Sequence, residues 1–235
     1  MVAIELSIAD NNVSYTRSET MGSHGGSRAG SSGGGGTQLP KLTGSEKQVE
    51  WANSIRQNYV DAINNFLDSD RRYLYQSRDN PDSGRVSREE LYDQLLMGQS
   101  GVASDTLYDK EYKNLRNMTE NTFKTFKANN PEYPESSLRE FQKNNSYQDV
   151  AHDIVLKNTG TDKLFERVKT ERKTAVKSAK EGLTDQKERK DAERAARISV
   201  EKKNYNQLIK KQLQANLNSD GARKASEWID WYKRK

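Results

Sequence analysis

All three tryptophans of this chain, Trp51, Trp228 and Trp231, fall in two short segments far apart in the sequence. The segments run Leu42–Arg56 and Ala222–Lys235, and long polar and charged stretches separate them. Only 32% of the residues are hydrophobic and 31% are charged. Typical domains are roughly 45–50% apolar with glycine counted. Apolar area this scarce cannot offset the ordering entropy of one globule spanning the whole length. The pattern therefore predicts a small helical core closed by the two ends, with solvated helices between them. Trp51, Ile55, Tyr59, Trp228 and Ile229 are the expected core of that closure.

Residues 1–17 alternate Ile4, Leu6 and Ile8, then Val13 and Tyr15, around Asp10-Asn11-Asn12. Period-two spacing about an Asx-rich turn predicts a small β-hairpin appendage. Residues 18–41 hold the run Gly33–Gly36 and read as a flexible Gly/Ser linker. No strand precedes that run and no Gly-Lys-Ser/Thr ends it, so it is not a phosphate loop. From Ser45 the pattern turns helical. Ser45 with Gln48, and Ser87 with Glu90, are capping-box spacings that open helices. Ala52, Ile55, Tyr59, Ile63 and Phe66 form a core-facing stripe, with Trp51 and Leu67 beside it. Further helices are predicted over 105–128, 136–144 and 147–157, then a thin stripe through Leu164, Phe165, Val168 and Val176. A long charged helix is expected from Thr184 to about Asn218, then a final helix capped by Ser219 or Asp220. The predicted fold is mainly α: a helical body with a long charged C-terminal helix and a small N-terminal hairpin. Residues 42–78 and 199–235 form its core, and 79–198 are a charged helical insertion.

Charge is distributed unevenly. Residues 161–235 carry 21 Lys/Arg against 12 Asp/Glu, leaving 18 against 22 for residues 1–160. A basic C-terminal region is an electrostatic footprint for polyanions, and also what a solvated charged helix looks like. The candidate nucleic-acid contacts are Lys190, Arg194 and Arg197 on one helical face, Lys203, Lys210 and Lys211 further along, then Arg223, Lys224, Lys233 and Arg234. Glu188, Asp191, Glu193 and Glu201 dilute the cluster, so binding is expected to be weak to moderate and salt-sensitive.

Other chemistry has little footing. The absence of cysteine excludes disulfides and thiolate metal sites, and the two histidines, His24 and His152, are far apart. The spacing of nucleophiles, bases and carboxylates defines no catalytic constellation, so a non-enzymatic protein without cofactor or metal is expected. Asp79–Glu90 has the length of a calcium loop, but Pro81 occupies a ligand position. The simpler reading is a turn feeding the Ser87 helix cap. No stretch approaches the roughly 18 apolar residues of a membrane span, and no signal-peptide core is evident. The expected setting is the cytoplasm.

The closing segments carry Gly44, Ser45, Lys47, Gln48, Trp51, Ala52, Ile55 and Arg56, then Ala222 or Ala225, Trp228, Ile229 and Asp230. This pattern resembles one in small uncharacterised proteins of bacterial phages and mobile elements. The resemblance implies that the two motifs pack together, and that the chain is an accessory protein working inside a bacterial host cell. It covers about 30 of the 235 residues and departs from the pattern at its large middle and at Tyr232-Lys233. Three functions follow as expectations: nucleic-acid binding through the basic region, a protein-interaction module such as an inhibitor of a bacterial defence system, or a self-assembling structural protein. The partner is thus nucleic acid of either type, a bacterial protein or ribonucleoprotein, or a second copy.

Overall fold

A computed structural model describes residues 39–75, 84–98 and 102–233. The hairpin predicted for 1–17, most of the linker 18–41 and residues 79–83 of the calcium-like loop therefore lie outside the described residues. The described chain is mainly α. Helix α1 (Glu46–Asp68) leads into a two-residue antiparallel pair, β1 (Leu74–Tyr75) and β2 (Arg85–Val86), with Leu74 opposite Val86. Then come α2 (Arg88–Leu96), α3 (Leu107–Arg116), α4 (Glu120–Asn129), α5 (Leu138–Asn144), α6 (Tyr147–Thr159) and α7 (Thr161–Ala179). The long α8 (Gln186–Leu217), a 3₁₀ turn (Gly221–Arg223) and α9 (Ala225–Lys233) complete it.

Local chemistry starts most of these helices. The backbone N–H of Ser45 donates to Gln48 Oε1 at 3.1 Å, and that of Ser87 to Glu90 Oε2 at 2.7 Å. Glu90, the last ligand position of the calcium-like pattern, is thereby committed to a helix cap. The single helix predicted over 105–128 is two helices. Thr119 caps α4 by accepting from Thr122 N, and Asn117-Met118 forms the corner. Folding back there lets Leu115 and Phe123 enter the same core.

The two tryptophan-bearing segments meet. Thr43 N donates to Arg223 O at 2.7 Å and Ala225 N donates to Thr43 O at 2.9 Å, forming a parallel bridge. Gly44 follows at φ +148°, and a Cβ there would lie 3.1 Å from that of Ala225. Only glycine accepts both that backbone angle and that proximity. The buried guanidinium of Arg56 donates to Pro40 O and to Asn53 Oδ1, which ties the incoming segment to α1. Leu39 already packs on the core, so the body begins inside the predicted linker.

The first core gathers Ala52, Ile55, Tyr59, Ile63 and Phe66 of α1 with Tyr205, Ile209, Leu213 and Leu217 of α8 and Trp228 and Ile229 of α9. Trp228 is 1% exposed, and its indole N–H donates to Ala222 O at 2.8 Å. Trp51 is not part of this core: it is 44% exposed. The reason is angular, since each helical residue turns about 100° and Trp51 precedes Ala52, which is central to the stripe. Tyr59 is the α1 aromatic that meets Trp228 and Trp231, with ring centroids 5.8 and 5.6 Å away.

The core also spreads beyond the predicted closing segments. Leu91 and Leu95 of α2 and Val168 of α7, all in the predicted insertion, belong to it. Helices α3 to α6 form a second, aromatic-rich core, in which Phe141 has Phe123, Phe126 and Tyr133 within 5.6 Å between centroids. Leu96 and Met97 at the end of α2 pack with Val155 of α6 in a small third cluster, a joint between those two helices.

Beside that joint, His152 Nε2 of α6 lies 3.0 Å from both oxygens of Asp93 on α2. Asp93 raises the His152 pKa above its ordinary value, opposed by burial and assisted by Asp153 and Asp149. A folded-state pKa above the unfolded one gives stability that is full below about pH 6.5 and lost as pH rises through the folded value. The side chains are 33% and 28% exposed, so solvent screening holds the pair near ~0.5 kcal/mol. The melting temperature should therefore fall by about 1–2 °C more between pH 6 and 8 in the native chain than in Asp93→Asn. Parallel thermal-melt curves for the two proteins would refute this coupling.

Candidate functional site

Helices α7 and α8 form an antiparallel hairpin whose lower part is apolar and whose tip is not. Phe165 and Val168 of α7 pack with Tyr205 of α8, their rings 6.2 Å apart in the Phe165–Tyr205 pair. Towards the Lys180–Asp185 turn the large apolar residues give out. Alanines and charged side chains replace them, and the facing surfaces enclose an open cleft. Its main part, about 750 Å³, is lined by Lys169, Arg172, Lys173, Val176, Lys177, Lys180, Glu181, Arg189 and Arg197. A smaller extension of about 310 Å³ shares Lys180 and Arg189 and adds Lys190 and Glu193. Helical periodicity builds the walls: Lys169, Lys173 and Lys177 recur at i,i+4 on α7, as do Arg189, Glu193 and Arg197 on α8.

These cations are not equivalent. Arg172 donates to Glu201 Oε1 at 3.2 Å and to Glu89 Oε2 at 3.3 Å, and the hydroxyl of Tyr205 donates to the same Glu89 oxygen at 3.0 Å. Glu201 is 2% exposed, and burial pushes its carboxyl above the usual range despite Arg172 and Arg88 nearby. Arg172 is thus held by the buried network that locks α2, α7 and α8, and forms the inner wall of the cleft. Lys180 and Arg197 converge on Glu193, at 3.2 and 2.8 Å. Arg197 first, and then Lys180, hold the Glu193 carboxyl below its usual range. Lys169 pairs within its own helix with Glu166. Lys173, Lys177, Arg189 and Lys190 are exposed and have no carboxylate within 4.0 Å among the described residues.

The described residues predicted to contact nucleic acid separate into four groups. Lys190 and Arg197 line the cleft. Arg194 does not share their site: it borders a separate depression with Asp70, Asp191, Ile198 and Lys202. The cleft face centres on the Arg189–Glu193–Arg197 column, and Arg194 lies beyond Lys190 from it. Lys203 and Lys210 are partly neutralised, 3.6 Å from Glu171 and 3.7 Å from Asp68. Lys211, Arg223, Lys224 and Lys233 belong to the closure end, roughly 30 Å or more along α8 from Arg189 at 1.5 Å per residue. Lys233 lies over the Trp51 ring at 5.7 Å, and Arg234 is outside the described residues. The cleft residues Lys169, Arg172, Lys173, Lys177 and Lys180 were not among the predicted contacts. The lysine column of α7 was a readable signal, but only tertiary packing sets it opposite α8.

Among the described residues, no group of three His, Cys, Asp or Glu side chains is placed to hold a metal ion. No described helix is long and apolar enough to cross a membrane. Comparison with protein-family models, curated proteins and solved structures finds no match to this chain.

Proposed function

We propose that the chain is a non-enzymatic nucleic-acid-binding accessory protein that acts through the α7–α8 hairpin. One observation carries the reading: seven cationic side chains and a single carboxylate line the main cleft. Phosphate contact requires cations gathered on one surface, and here two helices supply them. A phage or mobile-element setting, in the cytoplasm of a bacterial host, is supported only by the resemblance of the closing motifs. Fluorescence anisotropy with labelled single- and double-stranded DNA and RNA at low salt tests the reading. Saturable, salt-sensitive binding is expected. The combined Lys173→Ala, Lys177→Ala and Arg189→Ala variant should bind roughly tenfold more weakly, with a salt slope reduced by about 2. A flat titration of the native chain with every nucleic acid would overturn the proposal.

A second reading, a protein-interaction module such as an inhibitor of a bacterial defence system, is favoured by a different surface. Trp51 and Tyr232 are 44% and 49% exposed and make an edge contact at 6.4 Å beside Lys233. Exposed aromatics beside a cation have the composition of interface hot spots.

A further inference from the structure

We propose, on the nucleic-acid reading above, that Glu193 holds the place of one phosphate of a bound single strand. Its Oε1 accepts from Arg197 Nε and Nη2 at 3.1 and 2.8 Å. Its Oε2 accepts from Lys180 Nζ at 3.2 Å, across the cleft from α8. A guanidinium fork from one helix and an ammonium from the other thus converge on a single anionic group. The same donors suit a phosphate equally well, because Arg presents its N–H pair bidentately to either anion. Lys173, Lys177, Arg189 and Lys190 around it carry no such internal anion. A strand whose phosphates meet those open cations brings a phosphate to Lys180 and Arg197, where the carboxylate must give way. Glu193 is a built-in competitor.

The shape of the cleft selects the class of strand. Each helix is about 10–12 Å across, so the paired helices are broader than the roughly 12 Å major groove of a duplex. The cations moreover line a concavity between the helices rather than a projecting ridge. A single backbone fits such a groove. None of the lining residues is aromatic, so bases find no stacking platform, and recognition rests on phosphates without sequence preference.

The test compares the native chain with Glu193→Gln, which keeps the side-chain shape and removes the charge. Labelled oligo-dT, a duplex of matched length and inorganic polyphosphate are titrated across a salt series, and a thermal melt checks folding. Glu188→Gln, on the same helix but outside the cleft lining, controls for net charge. Removing a like charge about 4 Å from a phosphate in a water-like medium should tighten oligo-dT binding about fivefold. Freeing two cations should also steepen the salt slope by about 1. The duplex should gain less. Unchanged or weaker oligo-dT binding by a folded Glu193→Gln protein overturns the competitor role and leaves the nucleic-acid reading standing. Failure of the native chain to bind either nucleic acid sinks that reading instead. An equal gain in Glu188→Gln reduces the effect to net charge, and a gain confined to duplex or to polyphosphate overturns the single-strand assignment.

Discussion

Arg88→Met should cost the fold about 3–5 kcal/mol, although it replaces a charge with an apolar side chain of similar length. The Arg88 side chain is 0% exposed, and its guanidinium closes the C-terminal end of α1. Nη2 donates to Phe66 O and Ser69 O, and Nη1 to Arg71 O, each at 3.0 Å. Nε donates to Asn206 Oδ1 of α8 at 3.1 Å, and the guanidinium carbon lies 4.4 Å from the Phe66 ring centroid. The last carbonyls of a helix have no i+4 partner within it, and here one buried fork gathers Phe66 O of the last turn with the Ser69 and Arg71 carbonyls that follow. Methionine leaves the Ser69 and Arg71 carbonyls without that donor, while Phe66 O keeps the N–H and hydroxyl of Ser69, and it removes one of the cations acting on the buried Glu201. Arg88→Lys should rescue little, because one ammonium cannot reproduce the planar fork. Urea unfolding is the measurement: the midpoint should drop sharply while the m-value holds. A loss below about 1 kcal/mol would mean that the carbonyls find water or other donors.

Trp228→Ala should be comparably severe, about 3–5 kcal/mol, by opening a cavity at the junction of the two chain ends. The indole packs against Tyr59 and Trp231, with centroids 5.8 and 5.7 Å away, and its N–H satisfies the Ala222 carbonyl. At about 2–4 °C per kcal/mol for a chain of this size, melting should fall by roughly 10 °C. Trp228→Phe retains much of the packing but orphans that carbonyl, and should cost about 1–3 kcal/mol. Trp51→Ala is the informative contrast. Trp51 is 44% exposed, so its loss should cost less than about 1 kcal/mol. Equal losses at Trp51 and Trp228 in thermal melts would contradict the burial difference between them.

The closing motif is thereby largely accounted for by architecture. Gly44 admits Ala225, Arg56 holds Pro40, Gln48 caps Ser45, and Trp228 fills the core. The basic surface is separate from this closure in space, at the far end of α8.

Much of the fold could be read in advance because its signals are local. The Ser45–Gln48 and Ser87–Glu90 boxes and the stripe of α1 each depend on residues a few positions apart. The long helix, expected over Thr184 to Asn218, runs Gln186–Leu217 with Asp185 as its cap. Thr119 is an equally local signal, since Asn117, Thr119, Asn121 and Thr122 favour caps over helix interiors, but the apolar stripe continues on both sides of it. The place of Trp51 was a matter of one helical step.

By itself, then, the amino-acid order determined the helical class, the main caps, the union of the two ends and the basic bias of the C-terminal third. Tertiary structure alone decided that α2 and Val168 join the terminal core, and that α3–α6 build a second one. It also decided which cations act together. Formal charge is a property of composition, but free charge depends on which carboxylates lie within about 4 Å. Packing places Glu193 between Lys180 and Arg197, and Glu201 with Glu89 on Arg172, while leaving Lys173, Lys177, Arg189 and Lys190 open to the cleft.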